Sequence, residues 1–391
     1  MARRTVYLDY AATTPVDPEV RAAMLPFLEQ ESGLFGNASS VHRFGQDVRR
    51  ALDRARDAVA AAIGGHSSEV YFTSGGTEAD NTALLGVLLA GRERGRDHLV
   101  TTQAEHHAVL DCAHFAEKAL GFAVTYIPVG PDGGVSPGAV AGAVVPGRTA
   151  LVSVMHANNE IGTVHPIAEI ARAVKGRDEG VALHTDAVQT LGQMPLSAEA
   201  LGADLMTLSA HKIYGPKGAG ALYVRKGVRF TPWLHGGMQE REKRAGTENV
   251  PALVGFGRAV ELLPSWRDAE AARIADLQAR FLDAVRERLP DATLNGPPPG
   301  PRRLPNNVNL AFPGVEGETL LLSLDLHGVA VSSGSACASG SIDPSHVLIA
   351  LGLPLPLARS AVRFSLGRGS TADDLDHVAG VLADCVRAAR V

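Results

Sequence analysis

The stretch from Asp204 to Val224, DLMTLSAHKIYGPKGAGALYV, holds two short β-like runs, Asp204–Ser209 and Ala219–Val224, on either side of a turn rich in Gly and Pro. Such turns end one strand and open the next. Working outward, five more β-like runs precede it: Val70–Thr73, His98–Thr101, Ala123–Ile127, Ala150–Val154 and Val181–Thr185. Helix-like stretches separate several of them. In one, Val109, Cys112, Ala113, Ala116 and Leu120 line a single face at helical spacings. The alternation predicts an α/β fold whose large domain carries a mostly parallel seven-stranded sheet. Ligands of such sheets bind outside the carboxyl ends of the strands, so chemistry is sought where strands end.

Beyond Thr247 the texture changes to one long helical stretch, roughly Pro251 to Leu289, interrupted near Pro264. The Pro-rich segment Asn295–Pro305, NGPPPGPRRLP, then reads as a surface linker. Past that linker the chain reads strand Val308–Phe312, helix Glu316–Leu326, loop, helix Ser345–Leu351, strand Ala361–Leu366 and helix Ala372–Ala389. This is a smaller α+β C-terminal domain.

Composition narrows the function classes. The chain has 391 residues with 37 Lys or Arg against 42 Asp or Glu, a formal charge of −5, and is 45% apolar, which excludes disordered and low-complexity classes. Basic residues are interspersed with acids, as in Arg92, Glu93, Arg94, Arg96 and Asp97, so no nucleic-acid surface is expected. The opening MARRTVYLDYAATTP lacks an apolar signal-peptide core, and the apolar stretch Thr82–Gly91 is about half of a membrane span. Three cysteines, Cys112, Cys337 and Cys385, are too few for a disulfide framework or a closed zinc site, and a reducing, cytoplasmic compartment is expected.

Five segments carry candidate chemistry. Lys212 follows a strand and sits in the turn of the opening stretch; alone it reads as a solvated lysine, but among apolar and cationic neighbours it would become a Schiff-base nucleophile. Phe72–Asn81, FTSGGTEADN, ends a strand in glycines and opens a helix, which makes either a plain cap or an anion cup. Asp186 ends an apolar strand, where a carboxylate must be paired or must cap a helix; a protonated ring nitrogen is one good partner. His106 and His107 stand between a strand and a helix, and His106 could cover an aromatic ring or shuttle a proton. Val331–Ser341, VSSGSACASGS, has no apolar periodicity and reads as a mobile loop with an accessible Cys337, whereas Cys112 and Cys385 fall on apolar helical stripes. A Schiff-base lysine, a phosphate cup, a deep Asp and a ring-covering His together are what pyridoxal phosphate needs. Metal hydrolysis accounts for them less well, since no HExxH motif is present.

The ordered motifs SGGTEADN, AEHHAVL, NNEIG, HTDAVQ, SAHKIYGPKG, RAGTENV and SSGSACAS, with YLDYAATTP at the start and RFSLGR near the end, resemble those of cysteine desulfurases of the NifS/IscS type. These belong to the class V aminotransferase group of fold-type I pyridoxal-phosphate enzymes. The resemblance implies a large cofactor-binding domain over 16–257, and a small domain over 1–15 and 258–391 with the catalytic-cysteine loop at about 331–342. It implies pyridoxal 5'-phosphate on Lys212, with Asp186 at the pyridine nitrogen, Gln189 at the ring hydroxyl and His106 stacked on the ring as acid or base. Gly76, Thr77, Ser209 and His211 would bind the phosphate, with Thr247 reaching it from a neighbouring subunit in a homodimer. Asn158 and Arg363 would hold the carboxylate of L-cysteine. The implied reaction yields L-alanine and a persulfide on Cys337, which passes its sulfur to an iron–sulfur scaffold or another acceptor protein. A selenocysteine lyase and an ordinary class V aminotransferase are the alternatives; the aminotransferase needs no thiol. Met238 and the run Glu242–Ala245 depart from the family pattern, as does the short segment after the last helix.

Overall fold

A computed structural model describes residues 4–333 and 344–390. A short first strand, β1 (Val6–Tyr7), is followed by the seven strands of the central sheet. These are β2 (Val70–Thr73), β3 (His98–Thr102), β4 (Ala123–Ile127), β5 (Thr149–Ser153), β6 (Ala182–Asp186), β7 (Leu205–Ser209) and β8 (Gly220–Val224). Their order across the sheet is β2-β8-β7-β6-β5-β3-β4. Only β8 runs antiparallel to its neighbours, β2 and β7. Each sequence-predicted strand lies within one residue of its place, because a strand covered on both faces is apolar along its whole length.

Helices cover both faces. On one side Gly76–Arg92 and His107–Lys118 bury Leu84, Leu88, Val109 and Cys112 against Leu99, Leu151 and Leu222. Cys112 is therefore a core residue, its thiol pushed up to about 12 by burial. On the other side, the helix Arg43–Ala62 and the first half of Val250–Arg288 bury Val48, Leu52, Leu253 and Phe256 against Met206 and Leu208.

The helix Val250–Arg288 is continuous through Pro264, where the sequence predicted an interruption. Its first half is anchored in the large-domain core by Phe256 and Val260, its second in the small-domain core by Phe281 and Val285. Packing at both ends outweighs the one backbone hydrogen bond that proline removes.

The small domain contains β9 (Thr293–Leu294), β10 (Asn307–Ala311), β11 (Val329–Ala330) and β12 (Ala361–Ser365). The antiparallel order is β12-β10-β9, and β1 pairs with β11 in parallel. The helix Ala372–Ala389 packs Leu375, Val378, Leu382 and Cys385 into this core, as its periodicity predicted. The Pro-rich segment is more than a linker. Buried Arg303 donates to the carbonyls of Asn295, Pro297 and Asn307, so both ends of the segment are pinned while its middle stays exposed.

The stretch that departs from the family pattern has its own local account. Glu240, Arg241 and Glu242 all adopt left-handed backbone conformations, each unfavourable by about 1–2 kcal/mol for residues with a Cβ. Glu240 is held there by a buried two-pronged pair with Arg56, 2.6 Å on each arm, and by the Phe72 amide. Arg244 in turn pairs with Glu78 in the first turn of the helix Gly76–Arg92.

Candidate active site

The carboxyl ends of β6 and β7, the start of the helix Gly76–Arg92 and the N-terminal segment enclose a cavity of about 330 Å³. Its lining includes Gly76, Thr77, Asp80, His106, Asp186, Gln189, Ser209, His211, Lys212 and Arg363. Residues from separate parts of the chain thus meet where the α/β rule places ligands.

Strand β7 ends at Ser209 and passes into a short 3-10 turn, Ala210–Lys212, which turns the lysine into the cavity. The Lys212 amine donates to the carbonyls of Ala11 and Ala12, both at 2.6 Å. Ser209 contributes a buried hydroxyl that has no hydrogen-bond partner among the described residues. Gln189 donates to the Ala11 carbonyl at 3.0 Å, and His211 meets the Thr13 hydroxyl at 3.2 Å.

Asp186 closes β6 and accepts from the Val188 amide at 2.9 Å. Burial pushes its carboxyl up, and Asp80, facing the same cavity, is raised by burial and by the charge of Asp186. Beneath them His184 is fully buried between the hydroxyls of Ser153 and Thr207, at 2.8 and 3.0 Å, and stands 3.6 Å from Asp80. Two neighbouring carboxyls in a dry pocket favour a cationic guest beside them.

His106 caps the helix His107–Lys118, its Nδ1 accepting from the Ala108 amide at 3.1 Å. The ring proton therefore sits on Nε2. Burial, helped by the nearby Lys212 charge, pushes His106 down to about 4, so the ring is neutral at pH 7. The same causes hold His211 down at about 4.

The helix Gly76–Arg92 presents a bare N-terminus, since Gly75 brings no side-chain cap. A Cβ at Gly76 would lie 3.0 Å from Val188 Cγ2, so a larger residue would crowd this corner. Free amides, Thr77 and the unpartnered Ser209 hydroxyl make a polar cup suited to an anion.

One residue is arranged differently from the sequence reading. Asn158 is fully buried outside the cavity lining, its amide committed to the Ala104 carbonyl and to the amides of Glu160 and Ile161; Asn159 lines the cavity instead. Thr247 is exposed on the surface of its own chain and does not line this cavity. Cys337 and most of its loop lie outside the described residues. The sequence reading gives no role to Asp9, Ala11, Ala12, Asp80 or Asn159; the first three lie in YLDYAATTP, a motif whose contacts with the site are made only in the fold.

The family model for class-V aminotransferases matches residues 6–378. The cysteine desulfurase IscS of Dictyoglomus turgidum is 51% identical over 380 residues, covering 97% of this chain and 94% of that protein. The cysteine desulfurase IscS of Methanosarcina thermophila is 46% identical, covering 99% and 93%. This chain belongs to the cysteine desulfurases of the class-V aminotransferase family. Among solved structures, a NifS-like protein superposes with a TM-score of 0.90 at 35% identity, covering 98% of this chain and all of that one. SspA in complex with cysteine superposes with a TM-score of 0.80 at 35% identity, covering 93% and 99%. The desulfurase fold is thus of fold-type I, and among the described residues no helix is long and apolar enough to cross a membrane.

Proposed function

We propose that this desulfurase binds pyridoxal 5'-phosphate in the cavity and converts L-cysteine to L-alanine, leaving the sulfur as a persulfide on Cys337. The convergence of Lys212, Asp186, Gln189, His106 and the unpartnered Ser209 hydroxyl on one cavity carries this reading. The residues fit the group: Lys212 would hold it covalently, the bare helix start with Thr77, Ser209 and His211 would take the phosphate, and Asp186 would pair with the ring nitrogen. Bound there, pyridoxal phosphate supplies a sink for the electron pair left when an amino acid loses its Cα proton.

The chain's own groups do the rest. Lys212 takes the Cα proton, with the carbonyls of Ala11 and Ala12 holding the resulting ammonium. Neutral His106 offers its Nε2 proton to the reacting centre. Arg363 and Asn159 line the end of the cavity that receives the substrate carboxylate; Asn158, whose amide is committed elsewhere, shapes the loop that presents Asn159. The Cys337 thiolate attacks the sulfur of L-cysteine: the new S–S bond forms, the C–S bond breaks, and its electron pair returns to carbon, which is protonated to alanine. L-cysteine and the Cys337 thiol are consumed; L-alanine and the Cys337 persulfide result.

A homodimer completes the site, with the exposed Thr247 reaching the phosphate of the partner subunit. The persulfide passes to an iron–sulfur scaffold or another acceptor protein. An exposed persulfide oxidises readily, which favours a reducing cytoplasm. The occupant is tested by mixing cofactor-free protein with pyridoxal phosphate: a visible absorbance develops that Lys212→Ala lacks, and its absence from the unsubstituted protein would contradict the reading.

A further inference from the structure

Arg363 is 2% exposed, yet only two of its hydrogen-bonding directions are used. One Nη1 proton goes to the Asn159 carbonyl at 3.0 Å, and one Nη2 proton to the Asp9 carboxylate at 2.8 Å. Its buried Nε has no partner among the described residues. A guanidinium carries five N–H donors, and a carboxylate takes two of them side by side.

Asp9 is itself fixed to the strand that carries Arg363. Residue 9 bridges Ser365, two places along β12, while the Ala11 amide donates to the Ser365 hydroxyl and the Ala12 amide to the Asp9 carbonyl. The Tyr7 hydroxyl shares its one proton between the carbonyls of Asp9 and Thr13, at 3.0 and 2.9 Å, which closes the segment on itself. A buried guanidinium without a counter-charge is strongly disfavoured and moves to find one. The Asp9 contact therefore decides where Arg363 rests.

We propose that Asp9 is the positioning residue for Arg363: by holding Nη2 it fixes the guanidinium at the cavity lining, where its remaining N–H donors receive the carboxylate of the amino-acid substrate. The proposal rests on Arg363 being the carboxylate receiver named above. Asp9 touches neither the reacting carbon nor the sulfur, so its removal weakens substrate capture and spares the chemical step.

The test uses the enzyme loaded with pyridoxal phosphate and two amines that perturb its visible absorbance: L-alanine, which has a carboxylate, and cysteamine, which has none. Asp9→Ala should weaken L-alanine binding about tenfold and raise KM for L-cysteine to match, with kcat within twofold and cysteamine binding unchanged, the size expected for one charge-assisted contact. Asp9→Asn keeps an acceptor oxygen and should recover much of the loss. Unchanged or tighter L-alanine binding in Asp9→Ala would overturn the proposal, as would equal weakening for both amines, which marks general damage to the site. Arg363→Ala separates the two ideas. If it weakens L-alanine alone while Asp9→Ala does nothing, the receiver stands and the positioning role falls; if it leaves L-alanine binding intact, the receiver itself is wrong.

Discussion

The two walls of the cavity are built in different ways. The large-domain wall comes from the ends of β6 and β7 and the start of one helix, with Asp186, Gln189, Ser209 and Lys212 each a few residues from a strand terminus. The other wall joins residues far apart in the chain: Asn159 and Arg363 line it, and Asp9, 354 positions from Arg363, pairs with Arg363 without lining the cavity itself. The first holds its groups through the sheet's own backbone, so its geometry is set once the strands pair. The second depends on the N-terminal segment docking against β12, and the bonds from Arg363 to Asp9 and to the Asn159 carbonyl are tertiary. A rigid wall suits a group that stays bound through every turnover; a wall assembled by docking suits a substrate that comes and goes.

That contrast makes unequal predictions. The largest is at Lys212, where Ala should lower alanine production from L-cysteine by at least about a thousandfold, within the range for loss of a positioned acid–base group. A variant that keeps a tenth of the rate would break the assignment of this wall. Next comes Arg363→Ala, expected to raise KM for L-cysteine roughly thirty- to a thousandfold, the cost of removing one partner from a buried charged contact. Here the uptake of pyridoxal phosphate, followed by absorbance, should change little. Loss of that uptake would show that the two walls are not independent.

The remaining effect is on stability and not on turnover: a pH slope at Glu105, next to His106 in the chain. Its buried carboxyl accepts from the Met155 amide and the Thr102 hydroxyl, and burial pushes it up to about 8. The folded state keeps this proton to about pH 8, while the unfolded chain releases it near 4.5. Its contribution is therefore full below pH 4.5 and is lost as pH rises toward 8, by at most about 1.4 kcal/mol per pH unit. Glu105→Gln removes that loss. Denaturant unfolding should show the variant gaining on the parent protein between about pH 5 and 8, and parallel pH curves would contradict the assignment.

The same contrast explains what could be read without a structure. The seven central strands were legible because each is short and largely apolar, and several are closed by Gly, Pro or Asp. Lys212, Asp186 and the glycine cup were legible because each lies at such a strand end, where the α/β architecture places ligands. The two-residue strands β1 and β11 were not, since two residues carry no periodicity. Nor was the burial of Asn158, whose side-chain amide turns inward to the Ala104 carbonyl while Asn159 lines the cavity. Pro264 misleads for a related reason: local propensity predicts a break, and the two cores at either end of the helix override it.

Sulfur transfer to Cys337 is read most simply in a single turnover. The enzyme loaded with pyridoxal phosphate is mixed with a single equivalent of L-cysteine per site, with no reductant or acceptor, and alanine is counted while the intact mass and the Cys337 peptide are read. Sulfur transfer to this thiol predicts close to one alanine per site and one added sulfur on Cys337, with no adduct on Cys112 or Cys385 and no sulfide in solution. Alanine formed with no added sulfur on Cys337, or formed equally well by Cys337→Ala, would contradict it.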